Sequence, residues 1–203
     1  MSASKQVMTG YVDGLEKVLN DKGLLPTEYL ANYVQLVDED WTAVNGARMV
    51  ARAWSDPEYK RRLLDNGTAA ARELGFDFPK HHRHFVVLEN TQDLHHVICC
   101  TLCSCTAFTI IGMAPGWYKQ PDYRARIVRE SRAVLKELGL DLPASMQLKI
   151  WDTTADTRYM VLPYRPPSTT DWSEEKLSQL VDQDSLIGVK RLETPFSAAS
   201  TLA

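Results

Sequence analysis

Cys99, Cys100, Cys103 and Cys105 are the only cysteines in the chain, and all four fall within the segment HHVICCTLCSCTAF. The five histidines, His81, His82, His84, His95 and His96, crowd the same region, so every cysteine and histidine lies between positions 81 and 105. Cys100 and Cys103 form a C-x-x-C pair, a common way to offer two thiolates to one metal ion. Cys103 and Cys105 form a C-x-C pair, whose sulfurs face one ion only if the backbone curls tightly round it. That curl brings the peptide nitrogens of Ser104 and Cys105 toward the ion as well. Three sulfurs and two amide nitrogens make a strong-field donor set, which suits a low-spin trivalent transition metal better than a tetrahedral zinc.

Other chemistries compete for the same residues. A structural zinc site needs a fourth ligand, which a nearby histidine can offer, but zinc ribbons carry a second C-x-x-C pair that this chain lacks. A redox dithiol uses C-x-x-C and has no need of a third cysteine. An iron–sulfur cluster calls for four cysteines at wider spacing. Disulfides staple distant segments, whereas these thiols are bunched, and the short loops they would close remove little chain entropy. Inert buried cysteines remain the bland alternative.

The bulk numbers narrow the function classes. The chain is 44% hydrophobic and 24% charged, with a net charge of -3. That balance argues against nucleic acid as the main partner, because phosphate binding needs clustered Lys and Arg. No apolar run approaches the roughly 20 residues that cross a bilayer, so no membrane span is expected. The opening MSASKQVMTGYVDGLEK has no signal-peptide apolar region, and the cytoplasm is the default compartment.

The elements that must position the thiols read as an α+β chain. An N-terminal helical arm is expected over 1–80, and a mixed core over 81–203, with helices packed on short β-strands around a metal-claw loop. Apolar spacing predicts helices over 9–20, 27–37 and 41–54, the last with Trp41, Val44, Ala47, Met49, Val50 and Trp54. Asp56 and Pro57 read as a cap and first position of another. A further helix over about 67–74 ends at Gly75. Several short helices with exposed aromatics make a weak core alone, so the arm reads as packing on another surface, such as a second chain. Strands are expected at 85–91, 97–100, 146–152 and 157–163, the last two as a hairpin across TTAD. A single helix is expected over 122–138, with Asp122 as its cap and Gly139 as its stop. Asp171 with Glu174 predicts a capped helix over about 172–182.

CTLCSC, followed by WYK and YRARIVRE, resembles the nitrile hydratase alpha subunit and the related thiocyanate hydrolase gamma subunit. The resemblance runs from about 27 to 191 and includes ENT at 89–91, WD at 151–152, RY..LP at 158–163 and DSLIGV at 184–189. It implies a non-corrin Co(III), or alternatively a non-haem Fe(III), held by Cys100, Cys103 and Cys105 and by the amides of Ser104 and Cys105. It also implies oxidation of Cys103 to a sulfinate and Cys105 to a sulfenate. Catalytic roles then fall to Cys105, Cys103 and Ser104, with Cys105 oxygen or an activated water attacking a small nitrile. Thr101 follows the cobalt-type pattern. The resemblance further implies a beta-type subunit supplying arginines to the oxidised cysteines, and an activator or metallochaperone for metal insertion. A thiocyanate hydrolase gamma-type subunit and a non-catalytic metal carrier are the alternatives.

Some positions depart from the family pattern. His81 replaces a glutamine nineteen residues before the first ligand, Phe108 stands where tryptophan or arginine is common, and Thr109 and Met113-Ala114 replace prolines and leucine. His81, Phe108 and Trp117 are therefore the expected substrate-pocket residues. Tyr118, Arg124 and Arg126 read either as lining the site or its subunit contact, or as ordinary packing and surface. His82 and His95 read as solvated, His84 as a structural hydrogen-bonding residue, and Cys99 as a small buried apolar residue.

Overall fold

A computed structural model of the chain describes residues 3–26 and 28–193; position 27 and the ends of the expected spans, 1–2 and 194–203, lie outside them. Its contacts divide the chain after Asp40. The first unit holds α1 (Ala3–Asp21), α2 (Tyr29–Gln35) and a π-helical turn, Leu36–Asp40. Val7, Met8, Tyr11, Val12, Leu15 and Val18 recur at three- and four-residue spacing on α1 and are all exposed.

The second unit begins at Trp41, so the helices that follow belong with the thiols and not with an arm reaching residue 80. They are α3 (Ala43–Ser55), α4 (Pro57–Asp65) and α5 (Gly67–Glu73). On α3, Ala47, Met49, Val50 and Ala53 are buried, while Val44 faces outward. Asp56 caps α4 by accepting from the Glu58 and Tyr59 backbone N–H groups, both at 3.0 Å, with Pro57 in the first turn.

β1 (His84–Glu89) and β2 (Leu94–Cys99) follow, then a one-turn α6 (Phe108–Ile111), α7 (Pro121–Arg126) and α8 (Ser131–Glu137). β3 (Gln147–Asp152), β4 (Thr157–Leu162), α9 (Glu174–Ser178) and α10 (Gln183–Ile187) complete the unit. β3 and β4 are not a hairpin. Each pairs in parallel with an earlier strand: β3 with β2, and β4 with β1. These are two separate two-stranded sheets, and β2 of one lies against β4 of the other. Ile98, Ile110, Ile111, Ile127, Leu135, Met160 and Leu162 are buried on and around them.

The helix expected over 122–138 is broken between α7 and α8. Arg126 bridges the break. Its guanidinium binds Glu137 at 2.8 and 2.6 Å, and also reaches Asp122 and Glu130. Residues eleven apart on a straight helix lie about 16 Å apart along its axis; the break brings them together. Asp122 is thus an ion-pair partner and not the cap; Gln120 precedes the helix and Pro121 begins it. The helix expected over 172–182 is only the short α9, capped by Ser173 in place of Asp171, and α10 begins beyond that span with its own cap, Asp182.

His95 and His96 are both buried on β2, because this strand is covered on both faces. The His95 ring bonds the Gly188 carbonyl at 2.7 Å and the Asn90 side-chain amide at 3.1 Å. The carbonyl fixes Nε2 as the donor and leaves Nδ1 to accept. The expectation of a solvated His95 is therefore corrected. Burial, chiefly, depresses its pKa to about 4. An unfolded histidine titrates near 6.5, so below that pH the unfolded chain takes up a proton that the folded chain refuses. Stability is expected to fall as pH drops from about 6.5 through 4, with His95 accounting for about 3 kcal/mol of the loss. Urea unfolding across pH 7 to 4, compared with His95→Gln, measures it; identical profiles would show that His95 does not contribute.

Candidate metal centre

β2 ends at Cys99, and the chain leaves it into an irregular segment that turns back into α6. The sulfurs of Cys100, Cys103 and Cys105 lie within 4.8 Å of one another. Cys103 Sγ is 3.4 Å from Cys100 Sγ and 3.0 Å from Cys105 Sγ. Sulfurs bound to one ion at about 2.3 Å can be no more than about 4.6 Å apart, so the set fits a single metal. Among the described residues this is the one group of three or more cysteine, histidine or carboxylate donors placed for that purpose. No histidine joins it, which leaves the zinc reading without its fourth ligand.

The three thiols differ. Cys100 is buried, Cys105 half-buried and Cys103 exposed. Burial alone would raise the Cys100 pKa. The Thr153 hydroxyl and the backbone N–H groups of Cys105 and Cys103 outweigh it and hold the thiol at about 7. The Thr153 hydroxyl itself completes no hydrogen bond of good geometry, so the amides are the firmer part of that account. Burial, and then the neighbouring Cys103 sulfur, push Cys105 up to about 12, against a smaller pull from Arg158. Cys99 is fully buried and raised to about 12 by burial, as an inert apolar residue would be.

Asp152, at the end of β3, holds the first turn of the claw. Its carboxylate accepts the Thr101 N–H at 2.9 Å and the Thr101 hydroxyl at 2.5 Å. The parallel register that places Asp152 opposite Cys99 makes this possible. Asp152→Ala is expected to cut metal retention roughly tenfold, with Asp152→Asn restoring most of it. Metal content after gel filtration checks this; full retention by the alanine variant would show the contact to be incidental.

A pocket of about 250 Å³ opens beside the claw. Ser104, Cys105, His81 and Phe108 line it, as do Lys119 and Arg158. The Phe108 ring packs between Trp41 at 4.8 Å and His82 at 4.9 Å. Trp117 is elsewhere: it lines a larger cleft with Asp184, Lys190 and Arg191. That cleft has more room, but the sulfurs are not in it. His84 is exposed, and its backbone N–H bonds the Asp156 carbonyl at 3.0 Å.

His82 is buried and not solvated, and it also lines the pocket. Both of its ring nitrogens lack a hydrogen-bond partner within the described residues. Burial, then Arg158 and His81, lower its pKa to about 4, so it stands neutral at the pocket wall. Arg158 is buried too, its guanidinium donating to the Thr154 and Thr157 carbonyls at 2.5 and 3.1 Å while Nε is unsatisfied. Sequence reasoning missed Arg158 and Lys119 as site residues. Arg158 lies on β4, some fifty residues from the claw, and only the β1–β4 pairing brings it there.

The family described as nitrile hydratase, alpha chain, matches residues 6–190. The cobalt-containing nitrile hydratase subunit alpha of Pseudonocardia thermophila is 42% identical over 184 residues, covering 90% of each chain. The thiocyanate hydrolase subunit gamma of Thiobacillus thioparus is 42% identical over 153 residues, 70% of this chain and 63% of that one. Among solved structures, a double histidine-to-alanine mutant of an Fe-type nitrile hydratase from Comamonas testosteroni Ni1 superposes with a TM-score of 0.92. It is 57% identical and covers 100% of this chain and 98% of its own.

Proposed function

The chain belongs to the nitrile hydratase alpha-chain family, and from that membership we propose that it hydrates a nitrile to the corresponding amide, as the metal-bearing subunit of an enzyme completed by a beta-type chain. The observation that carries the proposal is the convergence of three sulfurs, one of which, that of Cys105, belongs to a residue lining a pocket of about 250 Å³, a size suited to a small substrate. Cys100, Cys103, Cys105 and the amides of Ser104 and Cys105 would hold a trivalent ion, which would supply Lewis acidity toward a nitrile nitrogen. On this reading Cys103 would be oxidised to a sulfinate and Cys105 to a sulfenate once the metal is in place, with dioxygen as the oxidant. The nucleophile is the Cys105 oxygen or a water beside it, and it adds to the nitrile carbon. One water is consumed: if it attacks directly its oxygen ends on that carbon, and if the Cys105 oxygen attacks, that oxygen leaves with the amide and the water oxygen replaces it on sulfur; on either route two hydrogens end on the nitrogen.

The remaining residues confine and balance this chemistry. Phe108 and the neutral His82 wall the pocket against bulk water. Negative oxygens on the sulfurs need cationic donors, and Arg158 and Lys119 stand on the same pocket. Arginines of a beta-type partner would complete that set, and the exposed apolar stripe on α1 supports a partner chain. The Comamonas structure alters two histidines; His81 and His82 are a histidine pair on this pocket. An activator protein would deliver the metal, in a cytoplasm that keeps the thiols reduced until it arrives. No helix among the described residues is long and apolar enough to cross a membrane.

Two grounds point to different ions. Thr101 supports cobalt, and the 57% identity to an Fe-type structure supports iron. Expression with both metals, followed by metal analysis of the purified complex, assigns the ion. The same preparation assayed on acrylonitrile and on thiocyanate tests the activity. Amide formation is the expected result. Turnover of thiocyanate alone would assign the gamma-type role, and reversible metal with fully reduced thiols would assign a carrier.

A further inference from the structure

Residues 101–105 lie in neither helix nor strand, and among the described residues no backbone–backbone hydrogen bond ties them down. A segment that must hold three sulfurs and two amides in one geometry therefore depends on side chains from elsewhere. Two of the best-buried tyrosines supply them. Tyr118, fully buried, donates its hydroxyl to the Cys105 carbonyl at 3.1 Å. Tyr123, on α7, donates to the Ile98 carbonyl at 3.2 Å. These carbonyls bracket the claw: Ile98 lies two residues before the first sulfur ligand, and Cys105 is the last. The two rings pack 5.7 Å apart, and Trp117 sits edge-on to both, at 5.8 and 5.0 Å. The braces are thus locked to one another as well as to the claw.

We propose that Tyr118 and Tyr123 are positioning residues for the metal centre, their hydroxyls clamping the two ends of the claw so that its sulfurs and amides meet one ion. The inference rests on the metal-binding reading above. Neither hydroxyl touches substrate; each acts through a backbone carbonyl.

Tyrosine-to-phenylalanine changes keep the rings and remove only the clamp. Tyr59→Phe is the control, because Tyr59 is equally buried and donates to the Ala70 carbonyl at 3.2 Å, a bond of the same kind between α4 and α5. The chain is co-expressed with its beta-type partner and activator in medium containing cobalt and iron, and three readouts are taken on the purified complex: thermal midpoint, rate of metal loss to excess EDTA, and the sulfur-to-metal charge-transfer absorption. All three variants are expected to lose similar stability. Only Tyr118→Phe and Tyr123→Phe are expected to lose metal faster, by roughly tenfold, and to shift the absorption band. Metal loss and spectrum like those of the wild type in both would overturn the inference while leaving the metal centre intact. Should Tyr118→Phe fail to fold, Tyr123→Phe alone carries the test. A wild-type chain that takes up no metal would instead overturn the metal-centre reading, and the inference with it.

Discussion

Cys100→Ser, Cys103→Ser and Cys105→Ser are each expected to leave a folded chain that holds no metal after chelation and hydrates no nitrile above background. Serine is nearly isosteric with cysteine, so packing changes little, and only Cys100, which is buried, adds the stability cost of a buried hydroxyl; what changes at all three is the donor. A hydroxyl is a hard, weakly acidic ligand, and a soft thiolate set is what selects a low-spin transition ion. With three sulfurs mutually within 4.8 Å and no histidine in the group, no spare ligand stands ready to replace a missing one. Cys99→Ser is the contrast. That thiol is fully buried and outside the set, so its replacement should lower stability by about 1–3 kcal/mol through an extra buried hydroxyl while metal content stays at wild-type level. Metal analysis alongside thermal unfolding separates the two patterns. Retention of metal by Cys105→Ser would remove that sulfur from the site.

The claw was legible in the sequence because its information is local: six residues fix the spacing of three sulfurs. The cap at Asp56 and Pro57, and the stop after α5 at Gly75, were legible for the same reason. What was not legible depends on chain segments that meet only in the fold. The four residues between β3 and β4 invite a hairpin, yet each strand finds a partner more than fifty residues away, and no short-range pattern encodes a parallel pairing. The break between α7 and α8 contradicts a good helical periodicity, and across it Arg126 makes two bonds to Glu137 that a straight helix would not allow. His82, in the basic KHHRH stretch, and His95 both looked like solvated histidines; their burial follows from elements packed over them. Arg158 reaches the pocket only because β4 lies beside β1. The sequence thus revealed the donor atoms, and the fold revealed the braces, walls and counter-charges that make a site of them.

Those long-range contacts converge on one backbone position where the largest stability effect is expected. Gly188 ends α10 in the left-handed region, at φ +93°. A Cβ built there would sit 2.1 Å from the His96 carbonyl oxygen and 3.1 Å from Val97 Cα. Both obstacles are backbone of β2, so no side chain can swing aside. The Gly188 carbonyl also accepts from His95, and any shift that relieves the clash weakens that bond. Gly188→Ala is therefore expected to cost roughly 3–5 kcal/mol or to prevent folding. Gly139→Ala isolates the conformational part. Gly139 has φ +94°, but nothing lies within 4 Å of the point where its Cβ would stand, so about 1–2 kcal/mol should be lost there. Denaturant unfolding of the two variants measures the difference. Equal losses would mean that β2 yields to α10. A much larger loss at Gly188 would mean that β2, which leads directly into the claw at Cys100, is held rigidly from behind.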